Sequence, residues 1–254
     1  MIVALYAGEI LLKNGAETYR VEDTITHICR SGHHEYVEVF VTPTGIFVSI
    51  DQKGESAGNM VTFIKRIKSR TINLEKVSQV NDLSRRFVAD KVNLSAAMIE
   101  LKAIDRSTGY PSWQKALVGG LGSALFAVLF GANLLEFLTA LAASIMVSTV
   151  NTHMDRAGFP PFVSHAAGGV TAAVLAVLAS TLITGVEMDK VIVGAVIVLV
   201  PGVAVTNAIR DSIAGDLLSG MSKGAEALII ATSIAIGVGA VLKMWLLLAG
   251  GSLL

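Results

Sequence analysis

Along the first hundred residues the apolar positions recur at two different periods. Val3, Ala7, Ile10 and Leu11 follow the spacing of a helix, Asn14-Gly15 interrupts it, and Val21, Ile25 and Ile28 resume a stripe that ends near Gly32. The pattern predicts two helices, or one that is kinked. Residues 36–42 and 46–51 are instead rich in β-branched and aromatic side chains, and Pro43-Thr44-Gly45 between them carries turn chemistry. A hairpin is expected there, with 60–68 as a third strand. Helical spacing returns at Leu74, Val77, Val80, Leu83 and Phe87, and again at Leu94, Ala97, Met98, Leu101 and Ile104, with Asn73 and Asn93 placed as N-caps.

Beyond residue 115 periodicity gives way to continuous apolarity. Uncharged runs of 20, 18, 30 and 19 residues separate Lys115 from Glu136, Glu136 from Asp155, Arg156 from Glu187, and Lys190 from Arg210. Each approaches or exceeds the roughly 20 residues a helix needs to cross a bilayer core. A fifth run tolerates Lys243 near its end, where the long side chain reaches the interface. Spans are expected at about 116–135, 137–154, 163–185, 191–209 and 225–249. Gly119-Gly120, Gly168-Gly169 and Gly237-Val238-Gly239 suit close helix packing in lipid.

Charge sharpens this division. The chain of 254 residues has 20 basic and 20 acidic side chains, but residues 1–115 hold 15 and 13 of them and the remainder only 5 and 7. The expected architecture is an α+β cytoplasmic domain (1–112) followed by an all-α membrane bundle of about five transmembrane helices (113–254). Zero net charge excludes a phosphate-tracking nucleic-acid binder. With the charged half inside, Asp155-Arg156 and the 210–223 segment also fall inside, as the positive-inside rule requires, and Trp113 and Trp245 suit the interfacial belts. The N-terminus reads as mature protein, since Met1 to Gly8 is short and runs into Glu9 and Lys13. Cys29 is the sole cysteine, so an intramolecular disulfide and a multi-cysteine metal site are both excluded.

The polar residues left in the apolar half are the candidates for chemistry. Pro201-Gly202 breaks or kinks the fourth run, and Thr206, Asn207, Arg210, Asp211 and Asp216 follow. Arg210 can grip a carboxylate with two prongs, while Thr206 and Asn207 can orient a polar solute. The plainer reading is a helix end at which Arg210 and Asp211 neutralise one another. His153 and Asp155 are candidates for proton exchange, set against a solvated loop. Glu136 opens the second span, at an interface or facing a cavity. In the first half, Glu17 and Arg20 at the helix break and Thr42 and Thr44 at the hairpin turn outline a pocket. It would bind a small anion, or hydrolyse a substrate with Glu17 as base and Thr42 or Thr44 as nucleophile, but no nucleophile elbow or metal-ligand spacing accompanies it. No phosphate-binding G-x-x-x-x-G-K-[ST] occurs, which argues against ATP hydrolysis.

Three stretches, NGAETYRVE (14–22), VEVFVTPTGIFVS (37–49) and PGVAVTNAIRDSIAGDLLSGMSKGAEAL (201–228), closely resemble the threonine/serine exporter family, especially two-component members with a YjjP-like large subunit. The resemblance implies a multi-pass protein of the inner, cytoplasmic membrane that exports threonine and serine or dicarboxylates such as succinate. It implies no enzyme activity, cofactor or metal. The fused exporters continue into further membrane helices, whereas this sequence stops at Leu254, which suggests a small YjjB-like membrane partner. A homo-oligomer and the lipid bilayer complete the expected partners. A gradient-driven exporter subunit is therefore expected, the alternative being a membrane-anchored hydrolase or metabolite sensor that uses the N-terminal domain.

Overall fold

The structure is a computed structural model that describes residues 1–32, 34, 36–51 and 60–249. It is mostly helical, with one small sheet. Two compact units make it up: Met1–Gly109 with Val203–Ala225, and Tyr110–Gly202 with Glu226–Leu254. The segment Val203–Ala225, read from the sequence as the end of a span and a following loop, thus groups with the N-terminal residues.

In the first unit, α1 (Ile2–Lys13) and α2 (Thr18–Ser31) form a helical hairpin. Gly15 closes it at φ +92°, a conformation that a side chain would strain, and Asn14 turns its amide back to the Ile10 carbonyl at 2.7 Å. The helices cross closely, since a Cβ on Gly8 would lie 2.4 Å from Ile25 Cδ1. Strands β1 (Val37–Thr42), β2 (Gly45–Asp51) and β3 (Met60–Arg66) make an antiparallel meander in that order. Val41, Ile46, Val48 and Ile50 face the core with Ile10, Leu11, Val21 and Ile25. Helices α3 (Leu74–Val88) and α4 (Leu94–Arg106) add Val80, Leu83, Ala97 and Leu101, and Asn73 and Asn93 cap them by accepting from the N–H groups of Lys76 and Ala96. A second hairpin, α9 (Gly202–Ile213) and α10 (Leu217–Leu248), turns at Gly215 with φ +94°.

The second unit contains α5 (Ser112–Leu129), α6 (Leu134–Arg156), α7 (Pro161–Leu182), α8 (Met188–Val196) with a 3-10 turn at Ile197–Leu199, and the later part of α10. Three helices, α6, α7 and α10, are long and apolar enough to cross a membrane; a fourth span results if Met188–Leu199 and Gly202–Ile213 count as one bent pair. Helix α5 falls short of the expected 116–135 because it stops at Leu129 ahead of Gly131 and spends its first turn on Gln114 and Lys115. Small residues set the packing. A Cβ on Gly194 would lie 2.7 Å from Ala140 Cβ, and one on Gly169 2.6 Å from the Ile234 carbonyl oxygen.

The break after α8 has a polar cause besides Pro201. Ser123 of α5 donates its hydroxyl to the Gly194 carbonyl and accepts from the Val198 N–H at 3.1 Å. Those two backbone groups are four residues apart, so the hydroxyl stands where a helical hydrogen bond would close.

Candidate functional site

The polar residues of 203–225 meet the α1–α2 break inside the first unit. Helix α2 begins at Thr18 without a cap from its own N-cap residue, Glu17. The missing acceptor comes from α9: Asp211 accepts from the Thr18 N–H at 3.0 Å and from the Thr18 hydroxyl at 3.1 Å. A carboxylate suits this place, because the first N–H groups of a helix are unpaired and the helix dipole is positive there. Lys223 of α10 completes the cluster, donating to Asp211 Oδ2 at 2.7 Å and to Thr18 Oγ1 at 3.1 Å. Asp211 is 0% exposed and Lys223 5%, so this ion pair is withdrawn from solvent. Such a pair persists only where hydrogen bonds satisfy both charges.

One residue away, α9 makes a second and more open pair. Arg210, half exposed, donates to Glu17 Oε1, and Arg20 holds the other oxygen of that carboxylate at 3.0 Å. Burial acts to raise the Glu17 carboxyl, yet the hydrogen bonds it accepts from its own N–H and from Arg210, with the charge of Arg20, carry it below the usual carboxylate range. Asn207 donates to the Gly15 carbonyl at 2.9 Å, and Thr206 lies exposed beside it. Asp216 caps α10 by accepting from the Ser219 N–H at 3.2 Å.

Of the residues singled out from sequence, the structure brings Glu17, Arg20, Asn207, Arg210 and Asp211 together. Thr42 and Thr44 are placed elsewhere. The Thr42 hydroxyl donates to Gly45 within its own turn at 3.4 Å, and Thr44 is exposed while its carbonyl accepts from the Ile67 N–H. A Glu17 held ionised between two guanidiniums is also a poor general base, so the hydrolytic arrangement is not assembled. His153 and Asp155 lie exposed in the last turn of α6, the His153 ring bonded to the Thr149 carbonyl of its own helix.

Thr18 and Lys223 were not singled out from sequence. Lys223 carried a readable signal, as the only basic residue between Arg210 and Lys243. Thr18 carried only its place after the Asn-Gly break and inside the 14–22 stretch of the family resemblance.

Glu136, undecided from sequence, is fully buried in the second unit. It forms a capping box with Asn133, accepts from the Glu187 N–H at 3.0 Å and lies 3.5 Å from Lys190 Nζ. Together these contacts clasp the start of α6 to the start of α8.

Several long apolar helices packed through glycine and alanine, attached to a charged α+β unit, define a multi-pass membrane protein. Residues 2–245 match the ThrE family, described as "Putative threonine/serine exporter", and the chain belongs to this family of membrane exporters rather than to a family of enzymes. Among its relatives is a "Probable threonine/serine exporter" of Mycobacterium tuberculosis, 24% identical over 91% of this chain and 43% of that protein, so this chain spans less than half of that relative's length. A "Probable succinate transporter subunit YjjP" of Klebsiella aerogenes is 23% identical over 92% of this chain and 90% of that protein. The same-named protein of Escherichia coli is 22% identical over 96% and 93%. No solved structure matches the chain.

Proposed function

We propose that this chain is the large subunit of a gradient-driven exporter of small carboxylates, threonine and serine or dicarboxylates such as succinate, acting with a small YjjB-like membrane subunit. The observation that carries the reading is the Arg210–Glu17 pair. Arg210 presents its fork at a half-exposed position and grips a carboxylate supplied by the protein itself, so a substrate carboxylate would compete with Glu17 for the same guanidinium. Thr206 and Asn207 would orient the bound solute. The neighbouring Asp211–Lys223 pair would hold α9 in register, and Asp216, His153 and Asp155 are the groups through which protons would couple.

Connectivity supports a cytoplasmic N-terminal unit and five crossings. Residues 1–109 and 203–225 belong to one compact unit, and with that unit on one side of the membrane the chain between them would cross an even number of times. Helices α6, α7 and α10 are long and apolar enough to cross, and in this reading the shorter α5 and α8 would have to complete the four crossings that precede α9. The membrane in this reading is the inner one, with the basic loops on its cytoplasmic side as the positive-inside rule favours. The YjjP-named relatives are called transporter subunits, which supports a reading with a separate partner.

The test is efflux of labelled threonine, serine and succinate from proteoliposomes, with and without the small subunit. Arg210→Ala should lower efflux at least about tenfold, the usual worth of a charge-assisted pair, and Arg210→Lys should restore it only in part. Wild-type efflux by a folded Arg210→Ala protein would remove Arg210 from the substrate site.

A further inference from the structure

On the outer side of α2 the first unit carries a groove of about 590 Å³ against α3. Arg20, Asp23 and His27 line it from α2, and Asn81, Arg85 and Val88 from α3. Its floor is mixed in charge, which suits a small polar metabolite better than an apolar one.

The two adjacent arginines of α3 are used differently. Arg86 pairs with Asp82 at 2.8 Å and also with Glu100 of α4, a structural role. Arg85 turns to the groove, and among the described residues its guanidinium has no hydrogen bond or ion pair. Across from it, Nδ1 of His27 faces two acceptors on Asp23, the carbonyl at 2.7 Å and the carboxylate at 3.1 Å. With Nδ1 turned to Asp23, Nε2 and the Asp23 carboxylate are the polar atoms left for a ligand. The third charged member, Arg20, belongs to both places: it lines the groove and also grips Glu17, the partner of Arg210.

We infer that the α2–α3 groove is a second binding site, for a small carboxylate metabolite, that reports its occupancy to the Arg210 pair through Arg20. The ligand carboxylate pairs with Arg85, and an ammonium group, where present, pairs with Asp23. A carboxylate in the groove also attracts Arg20, which loosens its hold on Glu17 and leaves that carboxylate to Arg210 alone. The consequence for export rests on the reading of Arg210 given above; binding in the groove does not.

Full-length protein in detergent would be titrated by calorimetry with L-threonine, with succinate and with inorganic phosphate. Arg85→Ala should weaken groove binding about tenfold or more, as expected for loss of one charge-assisted contact, while Arg85→Lys recovers part of it. Asp23→Asn should weaken threonine but not succinate, which separates the amino-acid from the dicarboxylate form of the ligand. Binding of phosphate as tightly as either carboxylate would overturn the ligand class. Hydrogen exchange at residues 17–20 should rise on ligand addition in the wild type and stay unchanged in Arg85→Ala. Unchanged affinity in Arg85→Ala, with wild-type thermal unfolding, removes the site. Loss of efflux in Arg210→Ala with groove binding intact leaves both readings standing, and wild-type efflux there removes only the first.

Discussion

Asp211 and Lys223 show how one buried pair sets the sign of a mutation. Removing one partner leaves the other charged in a dry site, so Asp211→Asn should destabilise by about 3–5 kcal/mol in chemical unfolding of the detergent-solubilised protein. The double variant Asp211→Asn with Lys223→Met should recover much of that loss, whereas independent sites would simply add. Glu17 supplies a pH signature. Its folded pKa lies below the ordinary value of 4.5, so its stabilisation is complete above that value and is lost as pH falls below it. Glu17→Gln should flatten stability in that acid window and change the neutral plateau less. Nothing local announced these partners. The plainer sequence reading made Arg210 and Asp211 a self-neutralising couple, but adjacent residues on a helix point about 100° apart. The fold sends them to Glu17 and Thr18 instead, each 193 positions away.

At the level of elements, the legible features were those whose cause lies within a few residues. The Asn14-Gly15 break, the Pro43–Gly45 turn and the Asn73 and Asn93 caps are local chemistry, and each stands where the pattern put it. The 3-10 turn after α8 was legible only through Pro201, because its other cause is a hydroxyl from α5. Ser123→Ala should cost about 1–3 kcal/mol by leaving that backbone unsatisfied, with faster hydrogen exchange at 197–199 as the check. The α9–α10 hairpin rests on Gly220, where a Cβ would lie 2.1 Å from Ser212 Oγ and 2.9 Å from the Ala208 carbonyl oxygen. Gly220→Val should therefore prise Lys223 from Asp211 and lower the unfolding temperature. Gly239→Ala on the same helix, with open space around it, should not.

The whole molecule is a discontinuous arrangement, in which one compact unit is built from both flanks of an apolar insertion. In a Cys29→Ala background, single cysteines at Thr108 and Ser222 should react with an impermeant maleimide from one side of the membrane. One at Phe130 should react from the other side; labelling of Thr108 and Ser222 from opposite sides would refute an even number of crossings. The trans-acting cap on α2 bears as well on the order of assembly during synthesis. Ile2 to Arg106 leave the ribosome before α9 and α10, and the carboxylate that closes the start of α2 and the lysine that neutralises it are made only after residues 110–202. The N-terminal unit can collapse early around its own core, but the seam at Thr18 stays open until the apolar insertion has been translated. Completion of the polar unit thus becomes a late check that the insertion before it has been made.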